Sequence, residues 1–144
     1  MDLNEIFGYA ADGAKWLAIG SVAYLLGLAG LSSITRVFSE RVNSQEDLDR
    51  IVKEEVEKLG ITKPIKANFQ TSYAGGAKKI GEGNYEINIG GFAARRSMVR
   101  HELYHIRKGH CEKIREEIGI NDLFNYLLKY EPQAIAYQVF GIKL

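Results

Sequence analysis

The sequence predicts an α+β fold, in which a small antiparallel sheet and several helices form one domain behind a hydrophobic N-terminal helix. Residues 44–60 carry apolar side chains three and four positions apart, the spacing of a helix with one buried face. Residues 65–73 alternate apolar and polar side chains, which is the period of a strand. Residues 16–35 contain no charged side chain. The length of 144 residues fits one domain with an appendage.

The composition excludes several classes of protein. With a net charge of +1 and 26% charged residues, the chain has neither the basic balance of a nucleic-acid binder nor the composition of a disordered chain. Cys111 is the only cysteine, which excludes an internal disulfide and a cysteine-rich zinc knuckle. We therefore expect a folded domain without nucleic acid as a partner.

The uncharged stretch 16–35 is about 20 residues long, enough to cross a bilayer as a helix. The charged residues before it are Asp2, Glu5 and Asp12 against Lys15 alone, whereas a cleaved signal peptide begins with a positive region. We therefore expect an uncleaved single-pass anchor; a buried or surface-lying helix of a soluble protein is the alternative. More basic residues follow the span than precede it, so the positive-inside bias predicts a cytoplasmic C-terminal part.

The chain is thus predicted to divide into an N-terminal segment with a polar linker, residues 1–43, and a domain, residues 44–144. In the domain, Tyr85–Ile89 is expected to be a second strand that pairs with the first as a hairpin. The glycine-rich residues 74–84 between the two strands are predicted to be a loop.

Three further helices are expected after the sheet. Residues 93–108 form the first of them, ended by Gly109, and residues 120–130 form the second. Pro132 should interrupt that pattern, because proline is tolerated only in the first turn of a helix. A last short helix is then predicted to run through Tyr137.

The segment HELYH, residues 101–105, has the spacing of a zinc site on the predicted helix 93–108. Residues four apart share one helical face, so the imidazoles of His101 and His105 can converge on one ion. Glu102 can reach a water held by that ion and accept its proton. A charged helix could carry these residues by chance, but two of the three histidines in the chain fall in the motif.

A catalytic zinc site needs a third protein ligand. His110 follows His105 by only five residues, and we interpret it as a helix-end residue that is favourable when charged. Glu131 comes after a complete helix, which gives the chain room to return to the motif. We therefore predict Glu131 as the third ligand; an ordinary acidic residue at a helix start is the alternative.

HELYHIRKGH followed by EPQAIAY resembles the gluzincins, whose third zinc ligand is a glutamate on a second helix. The order of elements in residues 44–144 is similar to that of the minigluzincins, minimal scaffolds that resemble the catalytic domains of integral membrane metallopeptidases. The resemblance implies a minimal zincin-like domain that holds one Zn²⁺ per chain. His101, His105 and Glu131 would be the ligands, and Glu102 would act as base and acid.

The resemblance also suggests how a substrate is held. In such folds an extended peptide pairs with the outer edge of the sheet, and we assign Tyr85–Ile89 to this role. Tyr137 is the candidate for stabilising the developing oxyanion. Membrane relatives often carry an acidic residue where this chain has Ile135, so support for the imidazole orientation is missing or comes from elsewhere.

The sequence therefore predicts a membrane-anchored zinc metallopeptidase that hydrolyses a peptide or protein substrate. Two alternatives stay open. One is a regulatory protease that cuts a single protein partner. The other is a latent or non-catalytic zinc-binding scaffold, in which the C-terminal tail VFGIKL lies across the cleft.

Overall fold

The computed structural model of the chain describes residues 3–72, 74–113 and 120–141. In these residues the fold is α+β, with a small mixed sheet packed against helices and a long apolar helix at the N-terminus. The predicted α+β class and the preceding apolar helix are confirmed. Tyr73, expected at the end of the first strand, and residues 142–144 of the tail lie outside the described residues.

The elements follow one another as α1 (Leu3–Phe38), α2 (Gln45–Leu59), β1 (Ile65–Gln70), β2 (Ala74–Lys79), β3 (Tyr85–Gly90), α3 (Arg96–Arg107), α4 (His110–Lys113), α5 (Ile120–Asn125) and α6 (Glu131–Phe140). A short 3₁₀ turn, Gly91–Ala93, precedes α3, and a π-helical segment, Tyr126–Tyr130, joins α5 to α6.

The predicted first helix is confirmed as α2, together with both of its ends. The Ser44 side chain accepts a hydrogen bond from the backbone N–H of Asp47, and so caps the N-terminus. Gly60 ends the helix with a φ of 66°, in the left-handed region that glycine adopts without strain.

The sheet differs from the predicted hairpin. Its strand order is β1-β3-β2, with β3 parallel to β1 and antiparallel to β2. The loop predicted at 74–84 was wrong, because its first half forms the edge strand β2. Glycine disfavours a strand, but tertiary packing outweighs that preference at Gly75. A Cβ on Gly75 would lie 3.2 Å from the Cβ of Ala93, so the missing side chain lets the sheet approach the chain before α3.

The helical break predicted at Pro132 was also wrong. The chain stays helical from α5 through the π-helical segment into α6, and the N–H of Glu131 bonds to the carbonyl of Tyr126, five residues back. Proline has no N–H and clashes with the carbonyl four residues earlier. A locally wider π turn removes that conflict without ending the helix.

The buried core lies around α3, which packs against β2 and β3 on one side and against α2 and α6 on others. Tyr85, Ile87 and Ile89 alternate along β3 and are almost completely buried, as the period-two pattern predicted. The helix that carries the HELYH motif is therefore held on several sides.

The helix α1 contains a candidate membrane span. Its segment Gly20–Phe38 is long and apolar enough to cross a membrane by length and composition, and 6% of it is buried. Ser32 is buried against α6, where the amide of Gln138 lies within hydrogen-bonding distance of its hydroxyl and donates to the Thr35 hydroxyl at 2.9 Å. The last turns of α1 thus pack on the domain, while most of the described apolar side chains between Gly20 and Phe38 are exposed.

Candidate metal centre

The α3 helix brings the two motif histidines together as their spacing predicted. His101 and His105 are both buried, and their Nε2 atoms lie 3.1 Å apart. Two imidazole nitrogens held this close in a buried position can share either a proton or a metal ion. The helix therefore supplies two preformed ligand positions.

The α6 helix supplies a carboxylate to the same point. One oxygen of Glu131 lies 3.3 Å from Nε2 of His101, and the other lies 3.3 Å from Nε2 of His105. Burial alone would raise the pKa of Glu131, but hydrogen bonds with the two histidines lower it well below its usual value. Glu131 is thus ionised at neutral pH, the form in which a carboxylate binds a metal.

The spacing of these three groups fits a tetrahedral metal site. Zinc binds nitrogen at about 2.0–2.1 Å, which places neighbouring ligand atoms of a tetrahedron roughly 3.3 Å apart. The measured separations of 3.1 and 3.3 Å agree with that value. His101, His105 and Glu131 form a possible metal-binding triad, whose ligand atoms all lie within 4.8 Å of one another.

Glu102 occupies the position expected of a general base. It is buried beside the triad, and burial raises the pKa of its carboxyl. The backbone N–H of Ala77, on the edge strand β2, donates a hydrogen bond to it. Glu102 lines a groove of about 110 Å³ between β2 and α3, hereafter the β2 groove, together with Gly75, Gly76, Ala77, His105 and Tyr126.

His110 is not the charged helix-end residue that the sequence suggested. Gly109, with a φ of 67°, turns the chain sharply and directs His110 back into the interior. There its Nδ1 lies 3.0 Å from Nδ1 of His105, and its ring stacks on Tyr130 with the centroids 4.3 Å apart. Burial lowers the pKa of His110 to about 4, so its neutral ring can accept a hydrogen bond from His105.

His101 lacks a comparable partner. Its Nδ1 is buried and has no hydrogen-bond partner among the described residues. Ile135, which stands where membrane relatives of the gluzincins often carry an acidic residue, is buried and apolar. The second-sphere support that the sequence left open is therefore present for His105, through His110, and is not seen for His101.

Tyr126 is a site residue that the sequence analysis missed. Its ring stacks on His105 with the centroids 5.7 Å apart, and its hydroxyl is hydrogen-bonded to Glu131. Burial and the Glu131 carboxylate raise the pKa of Tyr126, so the hydroxyl stays protonated. Five residues separate Tyr126 from Glu131, and the π turn brings them to one face.

Tyr137 lies elsewhere. Its ring is buried and stacks on Tyr104 with the centroids 5.1 Å apart. It lines neither the β2 groove nor the cavity beside α1. Helical spacing alone could not distinguish a tyrosine of the core from one of the site.

The strand Tyr85–Ile89 cannot receive a substrate as predicted. It lies in β3, the central strand, and both of its edges are occupied by β1 and β2. The strand that borders the site at the edge of the sheet is β2, so the β2 groove is where an extended chain could add to the sheet.

No protein-family model, curated protein or solved structure matches this chain. The resemblance to the gluzincins therefore rests on the residues of the motif alone.

A second cavity, hereafter the α1 cavity, also borders the metal position. It measures about 320 Å³ and is bounded by the last turns of α1 and by the α5–α6 region. His101, Glu131 and Tyr126 line it, and so does Arg36 from α1. The candidate membrane helix thus forms part of the wall of the site.

Proposed function

We propose that this protein is a membrane-anchored zinc metallopeptidase that hydrolyses peptide bonds. The observation that supports it most is the convergence of His101, His105 and Glu131, with the buried carboxylate of Glu102 beside them. Two histidines and a glutamate are a donor set typical of catalytic zinc, with one coordination position left for water or substrate.

A zinc ion held by these ligands would supply a Lewis acid that lowers the pKa of water and polarises the peptide carbonyl. Glu102 accepts the proton of the attacking water and delivers it to the leaving amine. Its raised pKa suits the first step, because a carboxylate that binds a proton more readily is a better acceptor. The Tyr126 hydroxyl, which is hydrogen-bonded to Glu131, would have to turn from that carboxylate to donate to the charge that develops on the carbonyl oxygen.

The substrate would bind as an extended chain along β2. Edge strands present unpaired backbone groups, and β2 borders the groove that contains Glu102. Gly76, where an added Cβ would meet nothing within 4 Å, leaves room for the substrate backbone at this edge. Binding by strand addition uses hydrogen bonds to main-chain groups, so an edge strand beside the site favours a peptide substrate over a small metabolite.

Membrane anchoring rests on α1. Its 36 residues span about 54 Å at 1.5 Å per residue, longer than the roughly 30 Å of a hydrocarbon core. The helix is therefore long enough to cross a bilayer, and the last turns of its candidate span Gly20–Phe38 are the ones that pack on the domain. A cytoplasmic orientation follows the positive-inside bias. An alkaline carbonate wash tests this anchoring, and we expect the full chain to stay in the membrane fraction.

Cleavage of internally quenched peptides by the zinc-loaded full chain in neutral detergent tests the proposal. Glu102→Gln should lower the cleavage rate by about 10²–10⁴-fold while zinc stays bound, since it removes only the proton acceptor. Glu57→Gln makes the same chemical change at an exposed position of α2 and should leave the rate unchanged. Full cleavage by Glu102→Gln would contradict the mechanism.

A latent or non-catalytic zinc scaffold is the second candidate, favoured by the unpartnered Nδ1 of His101. An imidazole without second-sphere support is less firmly oriented. This function predicts one zinc per chain and no peptide cleavage by the wild-type protein. A regulatory protease would instead cleave one cellular protein and spare generic peptides.

A further inference from the structure

The α1 cavity differs from the β2 groove in having a basic wall. Most of its lining is apolar or small, including Leu28, Ala29 and Leu127. Arg36 is its one basic residue, and it faces a space that also reaches His101 and Glu131. A cation in the wall of a cavity that is lined mostly by apolar and small residues favours a ligand that carries one anionic group.

Arg36 has no anionic partner within the described residues. Its Nε atom is buried without a hydrogen-bond partner, and no ion pair involves its side chain there. The arginines of the α2–α3 surface behave differently. Arg50 meets Glu40, Asp47 and Glu54, and Arg96 also meets several carboxylates. A partly buried guanidinium without a counterion is costly, so an anion from outside the described chain would stabilise it.

The position of the cavity indicates where that anion comes from. A peptide whose carbonyl is hydrolysed at the triad must extend to either side of it. The α1 cavity reaches the triad at His101 and Glu131, whereas the β2 groove reaches it at His105. A volume of about 320 Å³ is near the lower end for ligand sites and leaves room for one or two peptide residues. A peptide carries carboxylates at its C-terminus and on its acidic side chains.

We propose that the α1 cavity is a substrate subsite in which Arg36 binds a carboxylate of the peptide. The carboxylate is a free C-terminus or an Asp or Glu side chain close to the bond that is cleaved. This inference rests on the proposed peptidase function. The charge of Glu131 opposes a second carboxylate nearby, but a Zn²⁺ ion held by that carboxylate and two neutral imidazoles would give the triad a net charge of +1 and so offset the repulsion.

Binding of fluorescent peptides to the zinc-loaded Glu102→Gln full chain in neutral detergent tests the subsite without requiring turnover. The peptides form matched sets: a free or an amidated C-terminus, and an internal Glu or Gln. At least one acid form should bind roughly tenfold or more tightly than its neutral counterpart, the ratio expected for a hydrogen bond to a charged group. The two sets distinguish a C-terminal carboxylate from a side-chain carboxylate.

Arg36→Gln, added to the same background, should remove this preference, and Arg36→Lys should keep part of it. Arg41→Gln removes an equal charge outside the α1 cavity and should keep the preference, with zinc content measured in every variant. An undiminished preference in a zinc-loaded Arg36→Gln protein would overturn the proposal. So would equal binding of acid and neutral peptides, or loss of the preference when anionic lipid is added, which would assign Arg36 to a lipid phosphate.

The two proposals fail in different ways. If the protein cleaves peptides but shows no preference for acidic ones, the proposed carboxylate subsite is wrong and the proposed peptidase function still stands. If the preference for acidic peptides depends on Arg36 but the wild-type protein cleaves nothing, the peptidase function is wrong. The α1 cavity is then a peptide-binding site.

Discussion

His110 acts on the candidate site through His105. A histidine that binds metal through Nε2 is usually held by a hydrogen bond from its Nδ1, and His110 provides the acceptor 3.0 Å away. We therefore expect His110→Phe, which retains a ring to stack on Tyr130, to weaken zinc binding about 10–100-fold. Competition with a zinc chelator measures this affinity.

A matched variant separates orientation from packing at this position. His110→Asn is smaller but retains an acceptor, so it should restore part of the affinity that His110→Phe loses. If both variants bind zinc as tightly as the wild type, His110 is a core residue without a role in holding His105.

The residues of the site divide into those that the sequence could predict and those that it could not. His101, Glu102 and His105 follow from helical periodicity, which is local. Three others depend on non-local structure. His110 depends on the turn at Gly109, Tyr126 on a π turn, and Arg36 on the docking of α1 against the domain.

At the scale of the element, β2 shows why composition misleads. Its glycines indicate a loop by local preference, yet the strand completes the sheet and borders the β2 groove. The helices α2 and α3 were predicted because their apolar periodicity extends over several turns. The parallel pairing of β1 with β3 could not be read from alternation, since a strand with one buried face alternates in either direction.

Gly90, at the end of β3, should be intolerant of a side chain. A Cβ there would collide with the backbone carbonyl oxygens of Gln70 and Ser72, which cannot move without disturbing the end of β1. Gly90→Ala is expected to lower the free energy of unfolding by about 1–3 kcal/mol. Chemical denaturation of the full chain in detergent measures it.

Gly76, on β2, provides the control for this prediction. Nothing lies within 4 Å of a Cβ added there, so Gly76→Ala should change the free energy of unfolding by less than about 0.5 kcal/mol. If Gly90→Ala and Gly76→Ala have equal free energies of unfolding, the end of β3 is not packed against the carbonyl groups of Gln70 and Ser72 as described.

At the scale of the whole molecule, α1 is joined to the domain by polar contacts. Gln138 on α6 donates to Thr35 and lies within hydrogen-bonding distance of the buried Ser32 hydroxyl. Gln138→Ala leaves that hydroxyl without its partner and should cost about 1–3 kcal/mol in the free energy of unfolding. Chemical denaturation of the full chain again provides the measurement.

The neighbouring Gln133 offers the comparison for Gln138. It lies on the same helix and is only partly buried, so Gln133→Ala should have little effect on the same measurement. A loss of stability in Gln133→Ala as large as that in Gln138→Ala would mean that the contact with α1 is not specific to Gln138.

The docking of α1 also makes this helix part of the site. The last turns of this helix line the α1 cavity next to His101 and Glu131, so a truncated domain would lose part of the wall of the site. If α1 spans a membrane, the site lies close to the membrane surface, and under the proposed function membrane-proximal peptide segments would be the substrates within reach.

The zinc content of the purified full chain tests the central claim most directly. We expect about one zinc per chain in the wild type, in Glu102→Gln and in Glu57→Gln, measured by elemental mass spectrometry after exhaustive dialysis. His105→Ala and Glu131→Gln should each lose most of the metal, because three protein ligands are the usual minimum for such a site. A wild-type chain that remains without zinc after metal is supplied, or a Glu131→Gln chain that retains it fully, would contradict the proposed metal centre.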